Sequence, residues 1–286
     1  MIWPLEEIMK MAHSQNKAIL PFEDKHHGAI ACITGASSGI GMATARHFAS
    51  KGFNLLLLAR RKDKLKFLEE EIRNDYPVRV LSINLDVCNQ PDVDQFFTNL
   101  PNEWQLIDVL INNAGKAKGL APFQEGNMVH WEEMIDTNLK GLIYVSRAVI
   151  PVMVARNKGF IINIGSIAGR QTYPNGNVYC ASKAAVQALT EGMRMDLHTK
   201  GIRVASISPG HVEETEFALV RFDGDTKRAK IYDDFQPLKA GDIADILYFM
   251  VSRPAHVTLQ DVVVMSTQQP TATLIDRSGR NMDFNV

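Results

Sequence analysis

Residues 29–41 read AIACITGASSGIG. The first six form a nearly unbroken apolar run, the length of a strand and too short for an ordinary helix. Gly35, Gly39 and Gly41 follow with the spacing G-x3-G-x-G, and Ser37, Ser38 and Ile40 lie between them. Glycine permits a tight turn and a close backbone approach, and a helix starting here would aim N–H groups and partial positive charge at its own N-terminus. A strand, a glycine turn and a helix start in that order suit the pyrophosphate of a dinucleotide, although the commoner spacing is G-x-G-x-x-G.

Working outward, the chain alternates short β-branched or Leu-rich runs with longer helical stretches. The candidate strands are AIACIT (29–34), FNLLLLA (53–59), VRVLSINL (78–85), DVLIN (108–112), GFIINIG (159–165), IRVASIS (202–208) and DVVVM (261–265). Helical patterns occupy 39–50, 62–74, 91–100, 128–156, 179–199 and 241–252. Continuous apolar strands are those of a parallel sheet covered on both faces, and strand–helix alternation implies right-handed crossovers. The expected fold is α/β: one doubly wound Rossmann-type domain over 29–266 with a mainly parallel sheet of about seven strands. Residues 1–28 lack a basic segment leading into an apolar core, so they read as a loosely ordered N-terminal extension and not as a secretory signal. Residues 211–240 fit no strand–helix unit and read as an insertion covering the sheet edge; 267–286 read as a C-terminal tail.

A formal net charge of −1 gives no polyanion-binding surface and argues against nucleic acid as a partner. No uninterrupted apolar run reaches the roughly 18 residues of a membrane span. Cys32, Cys88 and Cys180 are odd in number and show no metal spacing, so reduced thiols and a cytoplasmic setting are expected. The histidines are scattered, and no metal site is expected.

Two further stretches carry chemistry. The second strand ends in ARRKDKL, placing Arg60 and Arg61 where a dinucleotide site that takes NAD carries an acid against the adenine ribose. Guanidinium groups instead pair with a 2′-phosphate, so the expected cofactor is NADP. At 179–183 the chain reads YCASK, setting Tyr179 and Lys183 four apart on one helix face. A neighbouring ammonium favours the phenolate, so such a Tyr can exchange a proton with an alcohol or a ketone.

TGASSGIG (34–41), NNAG (112–115), Ser166 thirteen residues before the Tyr–Lys pair, and PG (209–210) together resemble the short-chain dehydrogenase/reductase family, in its order, over about residues 29–266. The resemblance implies a general acid/base role for Tyr179, and for Lys183 a lowering of the Tyr pKa with a contact to the nicotinamide ribose. It implies that Ser166 holds the substrate oxygen and that Asn138, in IDTNLKG, anchors a water of a proton relay. Asp86 and Val87 would meet the adenine edge, Asn113 and Gly115 the adenosine ribose side, and Pro209, Gly210, Val212 and Thr215 the nicotinamide end.

IINIGSIAGRQTYPNGNVYCASKAAV (161–186), ETEFALVRF (214–222), PAHV (254–257) and TQQ (267–269) are similar, more narrowly, to the NADP-dependent 3-hydroxy acid dehydrogenases, also called serine or L-allo-threonine dehydrogenases. That likeness implies oxidation of a short 3-hydroxy acid, or reduction of the matching semialdehyde, by a homotetramer. Arg221 and Arg170 are the candidates to hold the substrate carboxylate; Arg221 is the one expected to turn inward, with Glu213, Glu214 and Glu216 facing solvent. The competing readings are a broader NADPH-dependent reductase of apolar ketones and a non-catalytic NADPH-binding regulator.

Overall fold

A computed structural model describes residues 26–230 and 234–279. The expected extension therefore lies outside the described residues as far as position 25. Its last residues are docked: the His26 ring stacks on Phe53 with centroids 5.2 Å apart, and the Gly28 N–H donates to the Gly52 carbonyl.

The strands are β1 (Ile30–Thr34), β2 (Asn54–Ala59), β3 (Val80–Asn84), β4 (Ile107–Asn112), β5 (Gly159–Ile164), β6 (Ile202–Pro209), two short pieces β7 (Val212–Glu213) and β8 (Leu238–Lys239), and β9 (Asp261–Val264). Seven of them form one sheet in the order β3-β2-β1-β4-β5-β6-β9, parallel throughout. The helices are α1 (Gly39–Ser50), α2 (Lys62–Asp75), α3 (Gln90–Thr98), α4 (Met128–Ile135), α5 (Gly141–Arg156), α6 (Asn177–Leu197), α7 (Phe217–Arg221) and α8 (Ala240–Ser252).

Alternation along the strands divides the core in two. Ala31, Ile33, Leu55 and Leu57 face one side, with Phe48 of α1, Leu68 of α2 and Leu247 of α8. Ile30, Cys32, Leu56 and Leu58 face the other, with Val93 of α3, Val149 of α5 and Met193 of α6. The four leucines of β2 are wholly buried, and each such burial is worth about 2 kcal/mol. Cys32 is a core residue, and burial pushes its thiol well above the ordinary range.

Two expectations change. Residues 128–156, read as one helix, form α4, a π turn at Asp136–Lys140, and α5 without a break. That run is long and apolar enough, by average composition, to cross a membrane, although polar residues interrupt it. Val145, Val149 and Met153 are instead buried against the sheet. The described residues of 211–240 do not cover the sheet edge. Val212 and Leu238 join the core, the Gly119 N–H donates to the Arg221 carbonyl, and residues 211–221 run along the carboxyl ends of the central strands.

Candidate active site

The strand order reverses between β1 and β4, and a cleft of about 530 Å³ opens there at the carboxyl ends of the strands. This is where doubly wound sheets take their ligands. The glycine turn forms its floor. Gly35 has φ +67°, a left-handed conformation that glycine adopts without strain. A Cβ at Gly41 would come within 2.5 Å of both the Gly35 carbonyl and Asn113 Nδ2, so α1 can start this close to the turn only without one. Asn113 clamps the turn to β4 by donating to the Thr34 carbonyl at 2.9 Å and the Gly35 carbonyl at 3.2 Å. Gly35, Ser37, Ser38, Gly39 and Ile40 line the cleft, whereas Gly41 sits one layer behind it. Thr215, expected at the far end, leans on Gly39: its Cγ2 would be 3.0 Å from a Cβ there.

At one end of the cleft, Arg60 and Arg61 flank the turn with Asp86 and Val87. Arg60 lies 3.8 Å from Asp86, while Asp86 accepts the Cys88 N–H at 3.0 Å. Arg61 donates to Ser37 Oγ at 3.1 Å and Ser38 Oγ at 2.6 Å, and it pairs with Glu216. Lys64 meets the other oxygen of the same carboxylate at 2.5 Å. The expectation that all three glutamates face solvent therefore fails for Glu216. Lys64 was not foreseen, although its place three residues after Arg61 in the first turn of α2 puts both on one face.

Ser166, Tyr179 and Lys183 line the middle of the cleft, beside Gly115. The Lys183 ammonium is buried and donates to the Ile164 carbonyl at 2.9 Å; burial lowers its pKa to about 8. Asn138 stands behind them on the π turn, a geometry often found at functional positions. Its amide donates to the Lys116 carbonyl at 2.9 Å and Ser182 Oγ at 3.0 Å, while its Oδ1 accepts the Lys116 N–H at 2.8 Å. A Cβ at Gly115 would lie 3.3 Å from Asn138 Oδ1 and 3.4 Å from Lys183 Nζ, which sets how tightly these groups converge. Ser166 Oγ accepts the Ala168 N–H and remains in the cleft wall.

Past Tyr179 the cleft meets Arg221, whose side chain is buried. Its guanidinium carbon lies 5.4 Å from the Tyr173 ring centre and 5.7 Å from that of Tyr179. Its Nε and Nη2 are buried with no hydrogen-bond partner among the described residues. Arg170, the other candidate, is spent on Asp261. The Phe217 ring stands edge-on to Tyr179, with centroids 5.6 Å apart.

Pro209, Gly210, His211 and Val212 close this end. Gln269, fully buried, accepts the His211 N–H at 2.8 Å, and Gln268 accepts the Gln236 N–H at 2.7 Å. The TQQ of the tail is thus the strap that holds the turn after β6. His211 titrates at about 4, lowered first by burial and then by Arg221 and Arg277. Among the described residues no group of three or more His, Cys, Asp or Glu could hold a metal ion.

A glycine turn at a sheet switch point, with a Ser, a Tyr and a buried Lys in the same cleft, defines a dinucleotide-dependent oxidoreductase site. Residues 29–224 match the model of the short chain dehydrogenase family, and the chain belongs to that family. It is 44% identical over 246 residues to the NADP-dependent 3-hydroxy acid dehydrogenase YdfG of Salmonella typhi, covering 86% of this chain and 98% of that protein. It is 42% identical over 251 residues to sulfoacetaldehyde reductase 2 of Chromohalobacter salexigens, covering 87% and 98%. The closed form of a serine dehydrogenase complexed with NADP+ superposes with a TM-score of 0.81 at 40% identity, over 86% of this chain and 98% of that one.

Proposed function

We propose that this protein transfers a hydride between NADP and the 3-hydroxyl of a short 3-hydroxy acid, such as serine, L-allo-threonine or 3-hydroxypropionate, or reduces the matching semialdehyde. That it is an NADP-dependent oxidoreductase acting on CH–OH groups follows from its family and relatives; the substrate is the further step. The cleft fits the cofactor. Gly35 and Gly41 keep the turn open to a pyrophosphate, and Arg60, Arg61 and Lys64 supply positive charge beside it.

When bound, NADP would supply the hydride acceptor or donor for the substrate carbon. Tyr179 takes the hydroxyl proton in oxidation and returns it in reduction. Lys183, one helical turn away, favours the tyrosinate by its charge. Ser166 donates to the substrate oxygen and stabilises charge developing there. Asn138 holds the Lys116 backbone beside Lys183, where it anchors the water through which the proton leaves.

The observation that carries the substrate class is Arg221. A buried guanidinium with two unpartnered nitrogens is costly unless an anion joins it, and it stands against the ring of Tyr179. A carboxylate two bonds from the reacting carbon would meet it bidentately. A sulfonate presents similar oxygens, which makes the relative named for sulfoacetaldehyde a second reading of the same cation. The test is a substrate panel with NADP+. L-serine and 3-hydroxypropionate should far exceed 2-butanol in kcat/KM, and Arg221→Met should remove about tenfold to a hundredfold of that preference, the value of a charged hydrogen bond. Parity of 2-butanol with the acids would establish the broader ketone reductase instead, and 2-hydroxyethanesulfonate as the best substrate would select the sulfonate. A cytoplasmic homotetramer belongs to the same proposal, and sedimentation velocity tests its assembly.

A further inference from the structure

The positive end of the cleft holds an acid of its own. One Glu216 oxygen pairs with Arg61 and the other with Lys64, so the carboxylate takes two cations with two oxygens, as a phosphate would. Burial opposes its ionisation, but the hydrogen bonds from Lys64 and Arg61 outweigh that and hold the carboxyl below its usual range. The pairing joins segments 155 residues apart, one following β2 and the other following β6, across the mouth of the cleft. Glu216 also directly precedes α7, which carries Phe217 against Tyr179 and ends at Arg221. Whatever moves Glu216 therefore moves the helix bearing the buried cation.

We propose that Glu216 is a stand-in for the 2′-phosphate: in the cofactor-free protein it fills the seat on Arg61 and Lys64 that the phosphate takes, and exchange of one anion for the other shifts α7. This rests on the reading of Arg61 as a 2′-phosphate ligand, and it adds Lys64 to that site. A ligand shifts a conformation only through a difference in its contacts with the two states. Here the difference is the 2′-phosphate, so NADP and NAD should leave α7 in different positions. Glu216 then sets cofactor specificity by competition as well as by repulsion.

Adenosine 2′,5′-bisphosphate and 5′-AMP differ only in that phosphate and serve as probes. In calorimetric titrations Glu216→Gln should bind the bisphosphate about two- to fivefold tighter than the wild type, the scale of a partly exposed ion pair, and 5′-AMP equally well. Lys64→Met should bind the bisphosphate more weakly. Amide exchange over 217–222 should rise in the wild type when the bisphosphate is added, and should already be high in Glu216→Gln without it. That last readout separates displacement from plain charge repulsion. Equal or weaker bisphosphate binding by Glu216→Gln, unchanged binding by Lys64→Met, or amide exchange indifferent to the bisphosphate would overturn the proposal. Failure of the underlying cofactor assignment looks different: the wild type would then bind both probes alike.

Discussion

Lys183 lies within α6 with its ammonium buried against the Ile164 carbonyl, and burial lowers its pKa from 10.5 to about 8. Below pH 8 the side chain is charged in the folded and unfolded chains alike, and the fold bears the whole cost of desolvating it. That cost fades as pH rises from 8 toward 10.5, so this residue makes the protein more stable in that window, not less. A shift of this size corresponds to at most roughly 3 kcal/mol. Lys183→Met should therefore raise the melting temperature at pH 7 while turnover falls by two or more orders of magnitude, about the contribution of a general acid–base system. Calorimetry and an NADPH absorbance assay on the same preparation check both halves; a variant that lost activity and stability together would contradict the account of Lys183 as a charge held against the preference of its surroundings.

At the scale of elements, the start of α1 depends on the missing Cβ at Gly41. Gly41→Ala would force a methyl within 2.5 Å of a backbone carbonyl, and α1 would have to back away from the turn. The expected outcome is a loss of NADP binding greater than tenfold, read by fluorescence titration, with the far-UV circular dichroism spectrum retained. Much at this scale was legible in the sequence. Strands buried on both faces leave unbroken apolar text, and every expected strand falls within two residues of its place. The π turn was not legible because DTNLK has the composition of ordinary helix, and one extra residue per turn leaves no trace in the apolar period. The short β7, β8 and α7 are held by contacts made elsewhere in the chain. Glu216 follows the same logic: three acids within four residues read as a solvated face, and the cations that turn one inward lie more than 150 residues earlier. Arg221 could be expected to turn inward, because it is the one positive residue in its stretch.

At the scale of the whole molecule, the tail and the segment after β6 behave as one unit centred on His211. Its imidazole titrates at about 4 in the fold against 6.5 when free, so it stays neutral in the native protein across weak acid. Between those values the unfolded chain binds the extra proton, and stability falls as pH falls, by no more than roughly 3 kcal/mol. His211→Leu should flatten that part of the pH–stability curve measured by urea denaturation; a curve unchanged between pH 6.5 and 4 would remove His211 as a cause of acid lability. The strand order has a different consequence. Because every neighbouring pair in the seven-stranded sheet is parallel, no two strands can be closed by a hairpin, and β1 must wait for β4, whose partner residues lie more than 70 positions on, before its second edge is covered. Through that interval the leucines of β2 and the apolar face of β1 have a sheet without its full set of neighbours. The chain is therefore most exposed to aggregation early in its synthesis, before the half of the molecule that carries Ser166, Tyr179 and Lys183 has been made.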